Sequence, residues 1–180
     1  LLDKYIFQAL DAYPYDLEEA VESLNYALSY DQNNATALGL MGEIYAEQLK
    51  NYEAAKEYYQ KALAADIFAV NIYPKYINVL LWNEDYAEAE KLIDYALTVK
   101  GTDKGILYVK KAIYFEQKRA YKKALKCLKL AKSYAYNNYF INDLKEEETR
   151  IKDKMPKKKK DKKKGASSKK SKKHKNNKNE

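Results

Sequence analysis

Residues that could carry out acid–base, nucleophilic or metal chemistry are few in this chain. Its 180 residues include one histidine, His174, and one cysteine, Cys127. His174 lies among lysines near the C-terminal end, so the rest of the chain has no imidazole to act as a general base or a metal ligand. The five glycines form neither of the glycine-rich loops that hold nucleotide phosphates. The sequence therefore predicts a protein that is not an enzyme and needs no cofactor.

Charged residues point to binding chemistry instead, because they are unevenly distributed. Residues 1–103 hold 7 basic and 18 acidic side chains, residues 104–132 hold 10 and one, and residues 152–180 hold 15 and three. The basic regions suit a polyanion such as RNA, DNA, an acidic protein segment or an anionic membrane surface, and a merely solvated surface is the alternative. The candidate polyanion-binding residues are Lys122, Lys126, Lys129, Lys157, Lys158, Lys159 and Lys160.

The elements that position these side chains are predicted to be helices. From Leu1 to about Lys154 the apolar residues recur at intervals of three and four, which is the spacing of amphipathic helices, with little of the alternation typical of strands. Clusters of Asn, Asp, Pro and Gly divide the chain into segments of roughly 12 to 18 residues, the usual length of a globular helix. The body of the chain is therefore predicted to be all-helical.

An internal repeat runs through these helices. A pattern of Ala, a large apolar residue four positions later and a second Ala three positions after that occurs four times, with intervals of 35, 34 and 35 residues between the leading alanines. Small residues at fixed places let two helices approach closely, and the large ones fill the space to the next pair. The four copies are Ala20/Leu24/Ala27, Ala55/Tyr59/Ala62, Ala89/Ile93/Ala96 and Ala124/Leu128/Ala131.

This pattern resembles the tetratricopeptide repeat (TPR) family, whose motif W-x2-L-G-x2-Y…A-x3-F…P recurs every 34 residues. The segment 51–63 is similar to the second-helix consensus, although the closing Pro is absent from every repeat. The resemblance covers roughly residues 1–135 and implies an all-α, right-handed α-solenoid of about four TPR-like repeats. We expect repeats at 1–34 (first helix divergent or truncated), 35–68, 69–102 and 103–137, a C-terminal capping helix at 138–155 and a disordered Lys-rich tail at 156–180.

The resemblance also implies a concave groove, lined by the first helix of each repeat, that holds an extended peptide or a partner helix. In its middle, Asn71, Lys75 and Asn78 could bind a peptide backbone and a carboxylate, and a solvated helix face is an equal alternative. Residues at the positions of the family's C-terminal carboxylate clamp do not support that clamp here. The implied groove residues are Tyr5, Ala9, Thr36, Gly39, Glu43, Asn71, Lys75, Asn78, Ile106, Lys110 and Ile113.

Two functional hypotheses follow. The first is a non-enzymatic adaptor that binds another protein through the groove, with the basic tail adding electrostatic attachment. The second is a nucleic-acid- or ribosome-associated factor that binds polyanions through the fourth repeat and the tail. We expect a cytoplasmic protein, because no apolar run is long enough to span a bilayer, or a nuclear one if the source is eukaryotic, and a missing N-terminal portion could carry a signal. The oligomeric state and the partner stay open.

Overall fold

Nine α-helices and no β-strand make up residues 2–156, the part of the chain that the computed structural model describes. Residues 157–180, most of the predicted disordered tail, lie outside the described residues. A single π-helical turn, Ile44–Gln48, continues the third helix. The helices are α1 (Leu2–Ala12), α2 (Leu17–Tyr30), α3 (Ala35–Glu43), α4 (Tyr52–Ala65), α5 (Ile72–Trp82), α6 (Tyr86–Ala96), α7 (Lys104–Gln117), α8 (Tyr121–Ser133) and α9 (Asn138–Asp153).

Helix starts are marked by Asp and Asn side chains. At five of the nine helices, the residue before the first turn accepts a hydrogen bond from the backbone N–H three residues later, which satisfies one of the unpaired donors at a helix N-terminus. The five capping residues are Asp16, Asn34, Asn51, Asp103 and Asn137.

Repeat alanines form the contacts between helices. All eight alanines of the four-copy pattern are completely buried, and the large residue between each pair is at most 4% exposed. Each helix packs against the next one along the chain, so the hairpins α1–α2, α3–α4, α5–α6 and α7–α8 stack in sequence order, and α9 packs on α8. The predicted repeat limits fall between helices, and their exact positions stay predictions.

Gly42 and Tyr59 show how closely two helices approach within a hairpin. Tyr59 on α4 is 1% exposed, and its ring lies against Gly42 of α3. A Cβ atom on Gly42 would come within 2.8 Å of that ring, closer than packed carbon atoms can lie. Burial in this contact raises the pKa of the Tyr59 hydroxyl. The glycine is therefore required by the aromatic residue that fills the second copy of the repeat.

The turn inside each of the last three hairpins has the same backbone geometry. Lys50, Glu84 and Arg119 have φ values of 52°, 61° and 56°, in the left-handed region that residues with a side chain rarely adopt. Each of the three immediately precedes the N-cap residue of the second helix of its hairpin, two positions before that helix begins. The shared conformation indicates that the tight reversal between helices imposes this geometry on whichever residue occupies the position.

Polar and aromatic contacts join the second and third hairpins. Lys56 on α4 donates a hydrogen bond of 2.7 Å to Asp85 at the start of α6. This bond raises the pKa of Lys56 to about 12. Close by, Trp82 at the end of α5 contacts the ring of Tyr52 at the start of α4, with 5.9 Å between ring centroids. These contacts fix the relative position of α4, α5 and α6.

Helix α9 is held on the last hairpin by an apolar contact and by one acidic residue. Leu144 and Ile151 are buried against α8 and its neighbours. Glu116 on α7 accepts a hydrogen bond of 2.7 Å from Arg150 and one of 2.6 Å from Lys154. The bond from Arg150 holds the pKa of the Glu116 carboxyl below its usual value of 4.5. The one acidic side chain among residues 104–132 therefore anchors the C-terminal helix.

Enlarging a repeat alanine should destabilise the fold. We expect Ala55→Leu to lower the free energy of unfolding by about 1–3 kcal/mol, because the added atoms have no space at the helix crossing. Ala64→Leu is the matched control, since Ala64 is exposed on the same helix. Urea unfolding followed by circular dichroism measures both variants. Equal stability of the Ala55→Leu variant and the parent would contradict the packing described here.

Removing the Glu116 carboxylate should destabilise the protein in a pH-dependent way. Because the pKa of Glu116 is lowered on folding, its charge stabilises the folded state above about pH 4.5, and this stabilisation is lost as the pH falls through the lowered pKa. We expect Glu116→Gln to cost about 1–3 kcal/mol at neutral pH and progressively less as the pH falls below about 4.5. Melting temperatures across this range test the prediction. The control is Glu22→Gln, since Glu22 is exposed and makes no ion pair within residues 2–156.

Candidate peptide-binding groove

A small cleft of about 100 Å³ lies where α1, α3 and α5 meet. Its floor is apolar and consists of Gly39, Leu40 and Ile72. All three are buried, and Leu40 and Ile72 are 6% and 3% exposed. Polar side chains of α3 and α5 form its walls. The lining residues are Leu10, Ala35, Thr36, Gly39, Leu40, Glu43, Ala69, Asn71, Ile72 and Lys75.

Gly39 allows α3 and α5 to come together at the floor. A Cβ atom at this position would lie 3.1 Å from Cδ1 of Ile72, so even an alanine would require the Ile72 side chain to move by a few tenths of an ångström. The glycine therefore lets Ile72 pack directly on α3 at the floor of the cleft.

Lys75 and Glu43 face each other across the cleft and form an ion pair between α5 and α3. Both side chains are partly exposed, with 43% and 23% of their side-chain surface accessible. The positive charge that the sequence assigns to ligand binding is thus balanced within the protein, and a ligand carboxylate would have to compete with Glu43 for it.

Asn71 occupies the position before the first turn of α5 but does not cap the helix. The five capping residues bond to the N–H three residues later, and the residue three positions after Asn71 is Pro74, which has no N–H. The Asn71 side chain is exposed and makes no hydrogen bond with any residue between 2 and 156. Its amide group can therefore donate and accept hydrogen bonds with a ligand.

Five of the eleven groove residues that the resemblance implies line the cleft, namely Thr36, Gly39, Glu43, Asn71 and Lys75. The other six lie outside it. On α7, Ile106 is 39% exposed and Ile113 is half-buried. Tyr5 stacks on the rings of two α2 tyrosines, at centroid distances of 5.2 and 5.9 Å. Asn78 is half-buried one turn beyond Lys75, and Lys110 is half-buried on α7, where burial lowers its pKa.

On α1 the groove-facing position differs by one residue from the one that the TPR resemblance implies. Ala9 is completely buried, and the neighbouring Leu10, which is 46% exposed, lines the cleft. The first repeat lacks the first-helix pattern of the others, so its register could not be set by alignment. The apolar spacing within α1, which assigns Ala9 to the core face, is the signal that would have identified Leu10.

The predicted polyanion-binding lysines of α8 are all exposed and follow one another at helical spacing. Lys126 and Lys129 line a groove between α8 and α9, and Lys122 does not. Lysines 157–160 lie outside the described residues. Polyanion binding by this surface stays a prediction.

Residues 2–156 contain no group of three or more His, Cys, Asp or Glu side chains placed to hold a metal ion. Cys127 is buried, and burial raises the pKa of its thiol, which disfavours the reactive thiolate. Across the same part of the chain, no helix combines the length and apolar character that crossing a membrane requires.

Comparison with known proteins shows the fold. No protein-family model matches the sequence, and no curated protein matches it either. Among solved structures, one from a functional characterization of Pseudomonas aeruginosa pilF is similar, with a TM-score of 0.69 and 21% identity, covering 83% of this chain and 69% of that chain. MamA 41-end from Desulfovibrio magneticus RS-1 gives a TM-score of 0.65 at 16% identity, covering 84% and 89%. The MamA RS-1 ArsTM double mutant gives 0.65 at 15%, with the same coverage.

These neighbours contain tetratricopeptide repeats, so the all-helical, TPR-like solenoid that the sequence predicts is confirmed. At 15–21% identity the likeness extends to the fold alone.

The unusual position of Asn71 leads to a stability prediction. We expect Asn71→Ala to change the free energy of unfolding by less than ~0.5 kcal/mol, because no cap bond is lost. Asn34→Ala should cost about 1 kcal/mol, because Asn34 accepts a bond of 2.9 Å from the N–H of Ala37. Chemical denaturation of the two variants measures the difference. If both cost the same, Asn71 has a structural role and is not free for a ligand.

Proposed function

We propose that the protein is a non-enzymatic interaction scaffold that binds an extended peptide or partner helix in the cleft between α1, α3 and α5. A TPR-like solenoid supports a scaffold role in general. The observation that carries the proposal is Asn71, an exposed amide at the rim of an apolar-floored cleft, which makes no capping bond to its own helix.

Binding would combine one apolar contact with directional hydrogen bonds. The floor made by Gly39, Leu40 and Ile72 accepts a small apolar side chain of the ligand. Asn71 can pair with both the N–H and the C=O of a ligand backbone, which favours an extended segment with unpaired backbone groups. Thr36, on the opposite wall, adds a hydroxyl that can donate or accept.

The ion pair between Lys75 and Glu43 selects for charge in the ligand. A ligand that brings only a carboxylate must break the pair and leave Glu43 without a partner, which is costly where solvent is restricted. A ligand that offers a carboxylate to Lys75 and a donor to Glu43 replaces one ion pair with two. We therefore propose that the preferred ligand has an acidic and a basic side chain beside its apolar one.

Lys110 lies outside the cleft, and we propose that it contacts a ligand long enough to reach the fourth repeat. It lies on α7, the first helix of the next hairpin, and is half-buried with a lowered pKa. Within residues 2–156 no carboxylate forms an ion pair with it. A second ligand carboxylate would compensate this charge. Asn78, half-buried one turn beyond Lys75 on α5, would offer the ligand a further amide group. The basic tail, including lysines 157–160, would add electrostatic attachment to an acidic partner.

Substitution of the polar groove residues tests the proposal. Peptides selected from a random library on the full chain provide the ligand, and fluorescence anisotropy measures their affinity. We expect Asn71→Ala, Lys75→Ala and Asn78→Ala together to weaken binding by about tenfold or more, equivalent to at least 1.4 kcal/mol, with an unchanged helical signal. Glu43→Gln should strengthen binding of peptides that carry only acidic residues, because it releases Lys75.

The matched control changes the same residue types at exposed sites elsewhere, as Asn25→Ala, Asn33→Ala and Lys91→Ala. This control should bind like the parent. Undiminished binding by the groove variant would remove these three residues from the site and, with them, the proposed function.

A further inference from the structure

A second groove, of about 400 Å³, lies between α8 and α9 at the C-terminal end of the solenoid. Leu125, Leu128 and Leu144 form its apolar floor, and Leu128 and Leu144 are each 4% exposed. Four lysines from the two helices surround this floor. They are Lys126, Lys129, Lys132 and Lys145.

Positive charge in this groove is only partly balanced within residues 2–156, because Glu148 offsets some of the charge of Lys132 without forming an ion pair with it. Among residues 2–156, none of the four lysines forms an ion pair with a carboxylate. One acidic side chain, Glu148, lines the groove, but it accepts a 2.5 Å hydrogen bond from Lys152, which holds the pKa of Glu148 below its usual value. The groove thus combines an apolar floor with a cationic rim. It differs from the cleft at α3 and α5, which also has an apolar floor but in which Lys75 is paired with Glu43.

We propose that this groove binds an acidic amphipathic segment of a partner protein, separately from the cleft between α1, α3 and α5. Apolar side chains on one face of the segment enter the floor between Leu125 and Leu144, and its carboxylates pair with the lysines on both sides. This is the way an amphipathic helix occupies a groove between two helices. The charge complementarity favours Asp- or Glu-rich segments and disfavours basic ones.

The lining of the groove favours protein over nucleic acid or lipid. A phosphate backbone supplies charge but nothing to fill an apolar floor. Proteins that hold single strands use aromatic side chains for base stacking, and the residues that line this groove include neither an aromatic residue nor an arginine. Membrane-surface helices present their apolar side chains outward, whereas Leu128 and Leu144 are recessed between two helices.

Two synthetic peptides test the proposal on the full chain at physiological salt. The first, about 18 residues or five helical turns long, carries leucines on one helical face and glutamates elsewhere. The second has the same composition with the leucines dispersed over all faces. Both peptides therefore carry the same negative charge and are attracted equally to the lysine tail. We expect the first peptide to bind at least about tenfold more tightly. A single-stranded RNA and phosphatidylserine vesicles are measured alongside.

Charge reversal locates the binding. Lys126→Glu with Lys129→Glu should weaken binding of the amphipathic peptide by about tenfold or more. Lys91→Glu with Lys100→Glu changes the net charge equally at exposed sites outside the groove and should change affinity less than about twofold. Leu125→Ser should also weaken binding while leaving the dispersed peptide unaffected. Circular dichroism confirms that each variant is folded.

Three results would overturn the proposal. The first is equal affinity for the two peptides, and the second is equal loss in the groove and control variants. The third is tighter binding of RNA or vesicles that the groove variant abolishes, which would assign the surface to a nucleic acid or a membrane. Since none of these variants touches the cleft at α1, α3 and α5, failure here would leave the proposed function intact.

Discussion

Close approach of helices at methyl-sized side chains is the constraint on which the rest of this structure depends. Where Ala20, Ala55, Ala89 and Ala124 are buried, no atom beyond Cβ separates neighbouring helices. This contact fixes the spacing inside each hairpin and leaves space for one large residue, such as Tyr59, to reach the partner helix. Because a solenoid unit contacts only its neighbours, four repetitions of the contact determine how α3 and α5 are placed, and the cleft between them follows.

The parts of the structure that recur were predictable, and the parts that occur once were not. The apolar spacing predicted the helices, and the fourfold alanine pattern, through its resemblance to the TPR family, implied their pairing and the solenoid, because one packing solution is encoded four times. The pair Lys75–Glu43 was not predicted, because residues 32 apart meet only when both helices are rotated correctly about their axes. The bonds from Arg150 and Lys154 to Glu116 depend on α9, which has no counterpart in the repeat.

One site feature was only partly contained in the sequence. Pro74 stands three residues after Asn71, so the missing N–H of proline removes the donor that the five capping residues use. The N–H of Tyr73 is a second possible donor, and only the structure shows that Asn71 has a helical backbone conformation and makes no capping bond. The misplacement of Ala9 has the opposite origin. A family pattern was applied to α1, where this chain departs from the pattern, although the apolar spacing of the helix itself places Ala9 on the buried face.

The contact between Trp82 and Tyr52 gives the molecule a built-in optical reporter. The chain has one tryptophan and 19 tyrosines. The indole of Trp82 is 43% exposed and lies at the junction of α4 and α5. Its emission therefore senses the middle of the solenoid, whereas the far-ultraviolet signal averages over all helices. In a protein whose units interact only with their neighbours, the ends can fray before the centre. Fluorescence and helicity would then follow different transitions, and the gap between them would measure the cooperativity of the array.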